Sequence, residues 1–108
     1  MTLPYLKIAA HDVPDSEARI RHMARELAQL TDSYRTITAA RFDLGKCDAE
    51  AFEAHLELLL PQHQIIVNAS SPAPERALHE VVARALDQLA LLEQRDPAIR
   101  PRPEAKAA

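Results

Sequence analysis

Arg19, Arg21 and Arg25 crowd one short stretch of a sequence that is otherwise slightly acidic. Guanidinium groups clustered in this way suit the binding of phosphates, because each is permanently charged and carries a planar set of donors. Arg21 and Arg25 are one helical turn apart and so share a face. The plain alternative is a solvated helix surface on which Glu17 pairs with Arg21, a contact worth only a few tenths of a kcal/mol. Other chemistry is poorly supported. His11, His22, His55, His63 and His79 include no pair at i,i+4 on one helix, the spacing a zinc site needs. His55 and His63 are expected to oppose each other across a hairpin, but two ligands make a weak site, so no metal is expected. Cys47 has no second cysteine near it and reads as a free thiol. Glu53 and Glu57 share a strand face about 13–14 Å apart at the antiparallel rise. That exceeds the carboxylate separation of glycosidases. No nucleophile elbow, phosphate loop or Cys–His signature is present. Neither a catalytic residue nor a cofactor is expected, and the chain does not read as an enzyme.

The elements that must position these residues are legible from periodicity. Phe52, Ala54, Leu56, Leu58 and Leu60 alternate with Glu53, His55 and Glu57, the pattern of a strand with one buried and one wet face. Pro61-Gln62-His63 follows, then the β-branched run Ile65-Ile66-Val67. After Ser70-Ser71-Pro72 the period changes, and Leu78, Val82, Ala85, Leu89 and Leu92 recur at steps of three and four. Upstream, residues 5–10 read as a strand with Leu6 and Ile8 on one face. A helix is expected over 17–31, with Ile20, Met23, Leu27 and Leu30 as its stripe and Asp15 or Ser16 as its cap. A strand is expected over 36–44 and a loop over 45–50 around Gly45, the one glycine. The last helix starts at Pro72 or Pro74, with Ser71 as cap, and ends near Gln94 before Asp96-Pro97.

The order is β-α-β-β-β-α. Its simplest packing is an α+β domain, a four-stranded sheet with both helices on one face and the other face open to solvent or to a partner. Leu59 and Ile66 fall on that open side and could serve homodimerisation through the sheet. Residues 1–96 are expected to form one domain, and the proline-rich, polar residues 97–108 to be disordered. Phe42 and Phe52 are the large side chains available to anchor a core otherwise built from Leu, Ile, Val and Ala.

The 108 residues carry 13 Lys and Arg against 16 Asp and Glu, a net charge of −3. That balance does not suit a general nucleic-acid binder. The charges are segregated, however, with arginines in 16–41, carboxylates in 43–57 and cations again from Arg95 onward. The lone cysteine excludes an internal disulfide. No apolar run is long enough to span a membrane, and no signal peptide is visible, so a cytoplasmic location without membrane contact is expected.

Several segments, in order, resemble the ribosome hibernation-promoting factor and protein Y family, also called ribosome-associated inhibitor or sigma-54 modulation proteins. They are Leu6-Lys7-Ile8, the helix entry Ser16-Glu17-Ala18-Arg19-Ile20-Arg21 and its close Leu27-Ala28-Gln29-Leu30. Arg35-Thr36-Ile37-Thr38-Ala39-Ala40-Arg41 follows. The run from Phe52 to Pro61 with Gln64-Ile65-Ile66-Val67-Asn68 resembles the strand pair of short members. The resemblance covers about residues 5–92. It implies a double-stranded-RNA-binding-like fold and binding of ribosomal RNA in the decoding channel of the small ribosomal subunit, idling translation under stress by occupancy. It implies RNA contacts for Arg19, Arg21 and Arg25, and for Arg84, which matches a commonly basic position. A short form without a linker and second domain is expected.

The sequence departs from that family where the last helix begins. Ala73 and Glu75 stand where members carry an Asp-x-Tyr pair, and Asp87 and Leu91 where more basic residues are usual. That helix holds Arg76 and Arg84 against Glu75, Glu80, Asp87 and Glu93. The rival expectation is therefore an interaction module of the same fold that has lost ribosome binding.

Overall fold

Alternation makes strands only where each finds a neighbour, and four do. A computed structural model describes residues 4–100. The elements are β1 (Tyr5–His11), α1 (Ser16–Ser33), β2 (Ala39–Asp48), β3 (Ala51–Leu60), β4 (His63–Ser71) and α2 (Pro74–Arg95), followed by a 3-10 turn at Pro97–Ile99. The strands form one sheet in the order β1-β2-β3-β4. β1 runs parallel to β2 and α1 makes the crossover, while β2, β3 and β4 are successive antiparallel neighbours.

Side chains of β2, β3 and β4 alternate between a buried and an exposed set, as the period of two requires. Ala40, Phe42, Leu44, Ala54, Leu56, Leu58, Ile65, Val67 and Ala69 face the helices. Met23, Leu27 and Leu30 of α1 and Leu78, Val81, Val82, Ala85 and Leu89 of α2 meet them in a single core. The α+β order and the placement of both helices over one sheet face agree with the sequence expectation. Of the two phenylalanines, Phe42 is fully buried, whereas Phe52 lies at the margin, only partly covered. Tyr34, just past α1, supplies the second buried ring.

Beyond shifts of two or three residues at element ends, such as β2 starting at Ala39 instead of 36, three differences from expectation stand out. The stretch 45–48 is strand, because a bulge between Lys46 and Asp48 lets β2 stay paired with β3 beyond Gly45. Gly45 has no positive φ, and a Cβ there would meet nothing closer than 3.8 Å, so it is not a turn glycine. The turn is instead Ala49-Glu50, where the Glu50 N–H donates to Asp48 Oδ1 at 2.8 Å. Second, α2 begins at Pro74, one of the two expected starts, but Ser71 is not its cap: Ala73 is the uncapped N-terminal residue, and Ser71 Oγ accepts from the Ala73 N–H at 3.2 Å and shapes the approach. Asp15 does precede α1, in a left-handed conformation without a side-chain cap.

The third difference concerns the tail, whose first residues are packed. Asp96 Oδ1 accepts from the Ala98 N–H at 3.2 Å and starts the 3-10 turn. The turn drives Ile99 into the core, where it is 3% exposed. The Thr36 hydroxyl donates to the Ile99 carbonyl. Tyr34 donates to Glu93 Oε1 at 3.2 Å, Arg100 pairs with Glu93 at 3.6 Å, and its guanidinium lies 4.3 Å from the Tyr34 ring centroid. His63 Nε2 meets Asp96 Oδ2 at 2.9 Å. The packed unit thus extends to Arg100, past the expected limit at 96, because one apolar residue in the polar segment finds a hole between α2 and the entry to β2. Residues 101–108, including the tail cations Arg102 and Lys106, lie outside the described residues.

Candidate nucleic-acid interface

A helix advances about 100° per residue, so the inward side of α1, defined by Met23, Leu27 and Leu30, fixes where each arginine points. Arg25 falls opposite that side, and Arg21 lies one turn before it on the same outer surface; both are exposed. Neither makes an ion pair among the described residues, and the Glu17–Arg21 pair is absent among them. Two like charges at i,i+4 repel by a few tenths of a kcal/mol, a cost that an anionic partner would remove.

The other two arginines are held by the protein. Arg19 turns toward α2, where its Nη2 meets Glu75 Oε1 at 3.3 Å; its Nε is buried without a hydrogen-bond partner. Arg84 leaves α2 on the flank beside the sheet edge, and its Nη1 donates to the Asn68 carbonyl of β4 at 2.6 Å. β4 is an edge strand, so this guanidinium occupies a carbonyl that would otherwise be open to pairing. Arg84 is therefore separated from Arg21 and Arg25 by the outer face of α2, with Glu80 and Asp87. His22 and Glu26, 3.3 Å apart, lie on the side of α1 next to α2. The four arginines do not form one continuous ridge; the structure brings Arg21 and Arg25 together and leaves them open.

The opposite face of the sheet, expected to be open to solvent or to a partner, carries its own polar cluster. Arg41 Nε donates to Asp43 Oδ2 at 2.8 Å on β2. On β3 the two nitrogens of His55 face acceptors, Asn68 Oδ1 at 2.6 Å and Glu57 Oε2 at 2.7 Å. Only the imidazolium can donate from both nitrogens. The hydrogen bond to Glu57 is the largest cause raising the His55 pKa above its ordinary value, with Asn68 and the charges of Glu57 and Asp43 adding to it against burial. His55 pairs in register with Asn68 and His63 with Leu60, so the two imidazoles expected to oppose each other do not. No group of three or more metal-ligating side chains forms among the described residues. No helix among them is long and apolar enough to cross a membrane.

No protein-family model matches the chain, and no curated protein sequence does. Solved structures do match in fold. A ribosomal subunit interface protein from Coxiella burnetii superposes with a TM-score of 0.73 at 13% identity, over 83% of this chain and 98% of that one. The N-terminal domain of Protein Y from Thermus thermophilus superposes with a TM-score of 0.69 at 18% identity, over 83% of this chain and 99% of that one. The chain thus has the hibernation-factor-like fold that its segment order suggested.

Proposed function

We propose that this protein is a ribosome-associated factor that binds ribosomal RNA of the small subunit and inhibits translation by occupying it. The observation that carries the reading is the open Arg21–Arg25 pair on a fold shared with a ribosomal subunit interface protein across nearly all of that protein's length. Phosphate binding needs cations that are not already spent inside the protein, and these two are available. Arg19 and Arg84, each engaged internally, would contribute less to RNA contact than their positions in the sequence suggest. The reading places the protein in the cytoplasm and assigns it no chemistry.

Co-sedimentation with purified small subunits on sucrose gradients, at low and at physiological salt, tests it. Binding should fall as salt rises. Arg21→Ala with Arg25→Ala should weaken binding and flatten its salt slope by about one unit per cation removed. Arg19→Ala should do less. Absence of co-sedimentation at both salts would refute the reading. It would favour the rival interaction module, for which the Glu75 contact on Arg19 and the carboxylates on the outer face of α2 already speak.

A further inference from the structure

We propose that the open face of the sheet is a homodimer interface, on which a second copy of this chain stacks about a two-fold axis running along the strands between β2 and β3. The inference goes beyond the ribosome reading and stands without it. Side chains directly opposite in neighbouring strands share a face, so the register writes the open face as rows. One row is Lys7, Arg41, Glu57, Ile66, and the next is Ala9, Asp43, His55, Asn68. The proposed axis lays β2 over the partner's β3 and each row over itself.

Charge then matches at every central position. Arg41 faces the partner's Glu57, and Asp43 faces the partner's His55; symmetry repeats both contacts. Within each copy Arg41 already holds Asp43, and His55 already holds Glu57. Stacking joins these pairs into two closed rings of alternating charge; Lys7, the cation beside Arg41 in the same row, lies outside the rings and faces the partner's Ile66, over which its methylenes can lie. Size matches as well, since Ala39 meets the partner's Leu59 and Gly45 meets the partner's Glu53. These contacts lie on the two central strands, beside the axis, where the roughly −30° crossing of aligned sheets displaces them least. An axis across the strands would instead set Leu59 against the partner's Glu53, burying a carboxylate on an apolar side chain.

The face has reason to be covered. Tyr5, Leu59 and Ile66 are 69%, 47% and 52% exposed on it. Four strands at ~4.8 Å and seven residues at ~3.3 Å give about 440 Å² of plan area per copy. Two copies bury on the order of 900 Å², the size of weak, transient interfaces rather than permanent ones, so the dimer should be a reversible one that fills only as concentration rises.

Sedimentation equilibrium of the full chain, from about 5 to 500 μM, should show a mass rising from 12.0 kDa toward twice that value. Arg41→Glu and Glu57→Arg, each alone, set like charges across the axis and should weaken association tenfold or more. Mixed in equal amounts, the two variants should associate within about threefold of the wild type, because both cross-axis pairs regain opposite charge. Circular dichroism confirms that each is folded; should either not be, Leu59→Asp replaces it as a variant that must lose the dimer. A monomer at every concentration overturns the proposal and leaves the face to residues 101–108 or to RNA. So does a dimer that both charge variants leave intact. Loss in both without recovery on mixing overturns the axis proposed.

Discussion

Replacing Ile99 with Ala should show that the domain ends with a plug rather than a loose tail. Ile99 is 3% exposed, and truncation to Ala removes three carbons from the core. At about 0.8 kcal/mol per buried methylene the transfer loss alone is about 2.4 kcal/mol. A rigid cavity would add to this, since buried Ile→Ala changes cost roughly 2–5 kcal/mol. Here the segment 97–100 sits at the edge of the packed unit and can move, so the loss should stay near the low end, about 2.5 kcal/mol. If the segment detached, the Thr36–Ile99 hydrogen bond would go too, a loss of about 1 kcal/mol, offset by about 1–2 kcal/mol of backbone entropy regained per released residue. For a domain of this size each kcal/mol shifts Tm by about 4–8 °C, so a fall of about 10–20 °C is expected. Urea unfolding followed by circular dichroism gives ΔΔG directly, and the slope with denaturant should stay unchanged. Ala98→Ser, at an exposed neighbour, should remain within about 0.5 kcal/mol of wild type. If Ile99→Ala also stayed within that margin, Ile99 would not be a part of the core that stability depends on.

The two phenylalanines should separate in the same assay. Phe42→Ala, at a fully buried position, should cost about 3–5 kcal/mol, and Phe52→Ala, at the core margin, clearly less; equal losses would contradict the packing. Gln62 has a φ of 66°, following Pro61 in the pattern of a type II turn, which favours glycine at that place. Gln62→Gly should therefore stabilise the protein by about 0.5–1 kcal/mol in thermal unfolding, and a loss would mean the side chain contributes more than the strain costs. The imidazole of His55 should titrate above 6.5 in an NMR pH series, and Glu57→Gln should bring it down. Because its folded pKa is raised, the stability it adds is fully present below pH 6.5 and disappears as pH climbs through the folded value. A midpoint at or below 6.5 would argue against the Glu57 contact.

The order of elements, the switch of period after Ser71 and most of the core were determined by the sequence alone. Alternation over 52–60 and the three-and-four spacing of Leu78, Val82, Ala85 and Leu89 are local signals, and burial of one face follows from either. The open side of the sheet was legible for the same reason, which is why Leu59 and Ile66 fall where the pattern puts them. Backbone pairing was less legible. Gly45 reads as a breaker, yet a partner strand and a bulge at Lys46–Asp48 keep it extended. Ile99 sits among prolines with no period around it, and only a hole formed by residues 63 positions earlier, at Thr36, gives it a place. The arginines make the contrast sharpest. Sequence placed them on helices, and helix geometry turned Arg21 and Arg25 outward. Whether a guanidinium is free depends on what lies across the fold, and Glu75 claims Arg19 while the edge of β4 claims Arg84. Charge partners far apart in the chain leave no periodic trace, so that distinction belonged to the tertiary structure.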